Sequence, residues 1–225
     1  MKKIQTLFFV VLVMAASSFV AHGQGIVTSN QGTPFTSQVY AEVNGSPYLS
    51  SRWVTGNVAL KDGQIYKSVE IKYDQVGDQL LFKADNGDSL LFAQPVHEFE
   101  LPVTEKGKTT TRNYRNGFPA VNGNTTNNFY EVINDGKVKI LKRTKKNIQS
   151  HKDYSSANVI NDINTNTTYY VLKDNTMTLI KPGSKTILEA LSDKSAEVAK
   201  YIKDNNLDAR QDADLGKIFT YYNSL

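Results

Sequence analysis

Glu98 and Glu100 lie two residues apart in a strand-like stretch of this 225-residue chain. That spacing puts both carboxylates on one strand face, about 7 Å apart, within reach of glycoside acid–base chemistry. Val96 shares their parity, and an exposed polar face explains the pair without catalysis. His97 alternates with Phe99 and Leu101, which makes it a hydrogen-bonded histidine of an apolar face, while His151 stands in the polar segment 149–153. Neither forms a spaced pair of the H-E-x-x-H kind, so a zinc site would need ligands gathered by folding. Asp85-Asn86-Gly87-Asp88 offers too few oxygens for a calcium loop of about 12 residues and reads as a hairpin turn. The serines fall in caps and loops with no G-x-S-x-G elbow. The absence of cysteine removes thiolate ligands, cysteine nucleophiles and disulfides. No catalytic residue, metal ligand or cofactor follows from these patterns.

Two groups of residues are candidates for binding. Lys142, Arg143, Lys145 and Lys146 form the sharpest local charge, following the strand-like run 137–141. With Arg112, Arg115 and Tyr114 they would make a nucleic-acid surface. Against that stand a near-neutral chain and the lack of any nucleic-acid module. They suit protection of a sheet edge, and next an anionic polymer or lipid surface. Trp53, Tyr48 and Tyr66 are the second group, a possible aromatic patch for which core packing is the simpler explanation.

The N-terminus gives the compartment. Lys2 and Lys3 precede ten unbroken apolar residues, Leu7 to Ala16, and Ala21-His22-Gly23 supplies small residues before Gln24. Residues 1–23 therefore read as a secretory signal peptide, since a spanning helix needs about 20 apolar residues. Its removal leaves 24 basic and 22 acidic residues. The expected location is the periplasm or the extracellular space, with no transmembrane segment after cleavage and no lipid anchor through cysteine.

The remaining chain divides by period. Short apolar residues alternate around Val39, Ala41 and Val43. In 65–73, Ile65, Val69, Ile71 and Tyr73 share one parity, and Tyr66, Ser68, Glu70 and Lys72 the other, as in a half-buried strand. Asn134-Asp135-Gly136 and Asp174-Asn175 separate further strand pairs as hairpin turns. The Asn- and Thr-rich stretches 109–128 and 155–168 read as loops. After Gly183 the period turns helical: Ser184 and Ser192 are candidate caps, and Leu215, Ile218, Phe219 and Tyr222 make an apolar stripe. The expected class is α+β: a mainly antiparallel sheet over 24–183, strongly curved or an open barrel, with two or three short helices in 184–225 packed on it.

GSPYLSSRWVTGNVALKDGQIYKSVEIKYD (45–74), YYVLKDNTMTLIKPGSKTILEALSDKSAEVAKYIKDNN (169–206) and DLGKIFTYYNSL (214–225) carry a resemblance. Together they resemble exported, β-rich, uncharacterised proteins of Gram-negative bacteria, with a strand-hairpin body and a lysine-rich helical tail ending in Tyr-Tyr-Asn. Asn175 departs from the glycine more usual in such a turn, but tolerates the same conformation. The resemblance implies export and this fold, and brings no functional residue with it. The function expected is a non-enzymatic binding or structural module with an envelope protein or anionic surface as partner. A carrier of an apolar ligand between sheet and helices ranks second, and a hydrolase built on dispersed carboxylates third.

Overall fold

The computed structural model describes residues 24, 25, 27–105, 107–152 and 159–225. The signal-peptide reading of 1–23 lies outside them. Among the described residues thirteen strands form one sheet: β1 (Gln24–Gly25), β2 (Gly32–Pro34), β3 (Val43–Asn44), β4 (Val54–Leu60), β5 (Ile65–Asp74), β6 (Gln79–Lys83), β7 (Ser89–Phe92), β8 (Val96–Glu105), β9 (Lys108–Arg115), β10 (Tyr130–Asp135), β11 (Lys139–Lys152), β12 (Val159–Lys173) and β13 (Thr176–Ile180). Three helices follow, α1 (Ser184–Ala190), α2 (Ser195–Asp204) and α3 (Asp212–Ser224). The class is α+β, mainly antiparallel, with the helices at the C-terminal end.

The main path runs β13-β12-β11-β10-β9-β8-β4-β5-β6-β7-β2 and does not close. It curls nonetheless. Four strands separate β5 from β11 in this order, yet the β5–β6 turn reaches β11, where the Lys146 N–H donates to the Gln75 carbonyl at 3.0 Å. The segment 24–44 laces the ends together: β1 lies parallel on β5, β2 on β7, and β3 parallel on β12.

Three cores fill the curl and its outer side. Tyr73, Phe99, Tyr114 and Phe129 cluster among β4–β9, with Phe99 and Tyr114 stacked at 5.0 Å. Leu141, Tyr170, Leu172 and Met177 make a second cluster with Phe118 and Tyr130. On the opposite face of β11 and β12, Ile140 and Val171 pack under the helices against Ile187, Leu191, Val198, Leu215, Ile218 and Phe219. Short helices are marginal alone, so this burial holds them.

Several expectations need correction. The stretches 109–128 and 155–168 are not simply loops, because β9 and β12 run through them. Their Thr and Asn residues pair across strands, as in the 2.7 Å contact of Thr104 with Thr109. Part of the second stretch, 153–158, lies outside the described residues. Around Val39 the chain forms a short 3-10 helix, Ser37–Tyr40, rather than an alternating strand. Neither Ser184 nor Ser192 caps a helix: Gly183 and Lys194 hold those positions without a side-chain bond.

A bulge breaks the expected parity of β5. Residues 67 and 68 face one residue of β4, between the pairs Gly56↔Val69 and Val58↔Tyr66. Ser68 takes φ +56° there, and its N–H donates to the Asn57 side chain at 3.0 Å. The slip turns Tyr66 inward.

Candidate functional site

Strand register builds the most elaborate polar site. Glu131 on β10 stands opposite Lys142 on β11, which stands opposite Tyr169 on β12. On a sheet, directly opposed residues share a face, so the three form one row. Arg112 joins it from β9, and Asp212 opens α3 above it. The Lys142 ammonium lies 2.6 Å from Asp212 Oδ2 and 3.4 Å from Glu131 Oε2. Arg112 reaches Glu131 Oε1 at 3.4 Å and Glu105 at 2.6 Å, and the Tyr169 hydroxyl donates to Asp212 Oδ1 at 2.9 Å. Glu105, Arg112, Glu131, Tyr169 and Asp212 line a cleft of about 1060 Å³ between β9, β10 and the start of α3.

Burial dominates the electrostatics. Glu131 is only 8% exposed. Loss of hydration raises its carboxyl above the usual glutamate range, and Lys142 and Arg112 pull the other way. Burial next to Asp212 and Glu131 also raises the Tyr169 phenol, which remains a hydrogen-bond donor. Since both touch one ammonium, the carboxylates of Glu131 and Asp212 lie within about 6 Å of each other. A retaining glycosidase uses about that separation. Here, however, the ammonium of Lys142 sits between them, where a sugar's anomeric carbon would have to pass. The arrangement can hold a polar ligand.

The expected site residues do not converge. Lys142 does not line the cleft but pairs with Glu131 and Asp212, which do. Arg143, next in the chain, points to the other face and meets Asp78 Oδ2 at 3.0 Å. Lys145 is exposed, and Lys146 donates to the carbonyls of Ser46 and Tyr48 at 3.0 and 2.6 Å. Edge protection by all four is therefore corrected: at Lys142 and Arg143 the strand is flanked by β12, and by β10 as far as Lys142, and both residues are spent on buried ion pairs. Tyr48 and Trp53 do come together, with the Lys72 ammonium 4.9 and 4.7 Å from their ring centres. Tyr66 is absent from that clamp; it is 1% exposed and packs near Phe92.

The remaining candidates are occupied. Glu98 accepts from Asn113 at 2.6 Å and Glu100 from Asn57 at 2.5 Å. His97 Nδ1 lies 3.2 Å from the Asn116 side-chain oxygen Oδ1, and His151 Nδ1 lies 3.4 Å from Asp162 Oδ2. Asp85 to Asp88 form the β6–β7 turn, where Asn86 bonds Asp88. Among the described residues no three His, Asp or Glu side chains group as metal ligands, and no helix is long and apolar enough to cross a membrane.

Sequence reasoning missed Glu131, Asp212 and Tyr169 as site residues. A signal was present: Arg112, Glu131 and Lys142 each occupy the parity of apolar neighbours, Tyr114, Ile133 and Ile140. Charge on a buried parity demands a partner. No family model, curated protein or solved structure matches this chain; the geometry stands alone as the guide to function.

Proposed function

We propose that this protein is an exported, non-enzymatic binding module that holds a polar, hydroxyl-bearing ligand in the cleft beside α3. The leader-like residues 1–23 support the export half of the reading. The observation that carries the binding half is the closed network in the cleft: each carboxylate, Glu105, Glu131 and Asp212, already has a cation partner. Such a wall offers hydrogen-bond donors and acceptors in fixed places. Thr110, Thr111, Asn113 and Gln211 extend it with uncharged polar groups. The carrier alternative loses support because the space beneath the helices is filled by Ile140, Ile187, Leu215 and Phe219, each fully buried.

Calorimetric titration with short neutral and acidic oligosaccharides tests this reading, with the sugars analysed by NMR after long incubation. Binding that leaves the sugar intact and weakens at least tenfold in Arg112→Gln is the expected result. Turnover of any of these sugars that disappears in Glu131→Gln would replace the module with a hydrolase.

A further inference from the structure

The β11–β12 hairpin outruns the body of the sheet. β10 pairs with β11 no further than Lys142, and β13 with β12 no further than Tyr169. The two long strands stay in register with each other from Lys139↔Leu172 to Lys152↔Val159. Backbone groups of a strand point alternately to its two sides. The Lys146 N–H points away from β12, towards the Gln75 carbonyl at 3.0 Å, and the Thr144 carbonyl on the same side accepts from the Gln75 side chain at 3.5 Å. By that alternation Ile148, Ser150 and Lys152 also turn their N–H and C=O groups outward. Among the described residues these groups have no backbone partner on that side. Gln75 fills the first rung of an edge that continues for another six residues.

Charge selects what can fill the rest. On β11, Lys139, Lys142, Arg143 and His151 have acidic partners. Lys145, Lys146 and Lys152 have none among the described residues, and every residue from Asn147 to Lys152 is exposed. Pairing two copies through this edge would set lysines against lysines, which is how exposed edges resist their own kind. The same lysines attract an acidic strand. Ile148, 39% exposed, adds one apolar contact midway along it.

We propose that the outer edge of β11, from Lys146 to Lys152, captures an extended acidic segment of a partner protein by strand addition. Backbone bonds at Ile148, Ser150 and Lys152 supply the attachment, and alternate side chains the selection, as in other strand-addition complexes. Lys145 lies on one face of the ribbon and Lys152 on the other, so the incoming strand carries carboxylates on both its faces. This surface is separate from the α3 cleft, and either can fail without the other.

The probe is a fluorescent eight-residue peptide alternating Glu with Thr and Val, titrated by anisotropy against the full chain. Two controls are the same peptide with Lys in place of Glu and the same peptide N-methylated at alternate residues. The acidic peptide is expected to bind, to weaken with salt, and to slow hydrogen exchange at the amides of Ile148, Ser150 and Lys152. Neither control should bind. Ser150→Pro removes one outward N–H without touching the β12 ladder, and the pair Lys145→Glu/Lys152→Glu reverses the charge without altering the backbone. Each should weaken binding at least tenfold; should the proline variant fail to fold, the charge pair decides. Unchanged affinity in a folded variant, equal binding of the methylated peptide, or no binding of the acidic one overturns the proposal. Amide protection that grows with protein concentration alone overturns it in favour of a second copy.

Discussion

Lys142 and Arg143 are neighbours in the chain and leave β11 on opposite faces. Lys142 fastens the start of α3 through Asp212 at 2.6 Å, and Arg143 fastens the β5–β6 turn through Asp78 at 3.0 Å. One dipeptide thus holds the start of α3 to one face of β11 and the β5–β6 turn to the other. Asp78 collects more than the guanidinium: Tyr73 donates at 2.5 Å and the Asn128 amide at 2.7 Å.

Asp78→Ala should cost more than Arg143→Met. The first leaves a guanidinium 6% exposed without its acid, and breaking such a pair typically costs about 3–5 kcal/mol. The second leaves Asp78 with its neutral donors, and the methionine fills most of the space. Lys145→Gln, on an exposed position of the same strand, should stay within about 0.5 kcal/mol of the parent. Urea unfolding of the three variants checks the ranking; equal losses at Lys145 and Asp78 would contradict it.

Phe219 is fully buried between α3 and the sheet. Phe219→Ala should lower stability by about 3–5 kcal/mol, because the cavity it leaves is only partly refilled. A loss under about 1 kcal/mol in urea would mean that α3 is not docked in solution.

The Tyr-Tyr-Asn near the C-terminus acts as three separate fasteners. Tyr221 stacks on Tyr201 at 4.1 Å, the Tyr222 hydroxyl donates to Asp193 at 2.9 Å, and Asn223 clamps the β10–β11 turn. The Asn223 amide donates to the Val138 carbonyl at 2.9 Å, and its oxygen accepts from the Val138 N–H at 2.9 Å. A side chain at Gly136 would collide with that amide. Asn223→Ala should therefore cost about 1–3 kcal/mol, and Gly136→Ala should weaken the same clamp. In the double variant the two losses should not add, since they act on one contact. Additive losses in thermal unfolding would show that Gly136 answers to something else.

Two carboxylates give stability opposite slopes with pH. Burial raises Glu131 above its ordinary 4.5, against the pull of Lys142 and Arg112. Its contribution is therefore complete below pH 4.5 and lost as pH rises through the folded value. Asp135 is partly buried, which acts to raise it. Hydrogen bonds from Lys139 and Arg115 win and hold it below 3.8. Its contribution is present above pH 3.8 and lost as pH falls through the folded value. Glu131→Gln should flatten the stability profile above pH 4.5, and Asp135→Asn should flatten it below pH 3.8. Urea midpoints between pH 2 and 7 measure both, and a steeper fall in Glu131→Gln above pH 4.5 would reverse the assigned sign.

The helices and most hairpins were legible because their signals are local. The stripe Leu215, Ile218, Phe219 and Tyr222 is buried as its spacing requires, and Asp174-Asn175 turns with φ +49° and +58° at the two residues. β9 and β12 were hidden because Thr and Asn read as loop residues until a partner strand supplies their hydrogen bonds. Tyr66 packs in the core, as the simpler reading of its group expects, but not on the polar parity given to it, because one bulged residue reverses parity and a bulge has no reliable mark in the sequence. The cleft escaped notice for a related reason. Its residues come from β9, β10, β11, β12 and α3, and only register brings them into one row.

The lacing by residues 24–44 has a consequence for how the molecule comes into being. A chain is made from its N-terminal side, so β3 emerges well before β12, yet it finds its place only on Asn161 and Asp162. The Asn44 side chain waits for a partner 118 positions later. Closing so long a span is entropically costly until the hairpins between have collapsed. β1 and β2 can seat once β5 and β7 are made, but β3 is among the last strands to be seated. Until β12 arrives, the stretch around β3 has no strand to lie on, while the hairpins of β4 to β9 can already pair among themselves.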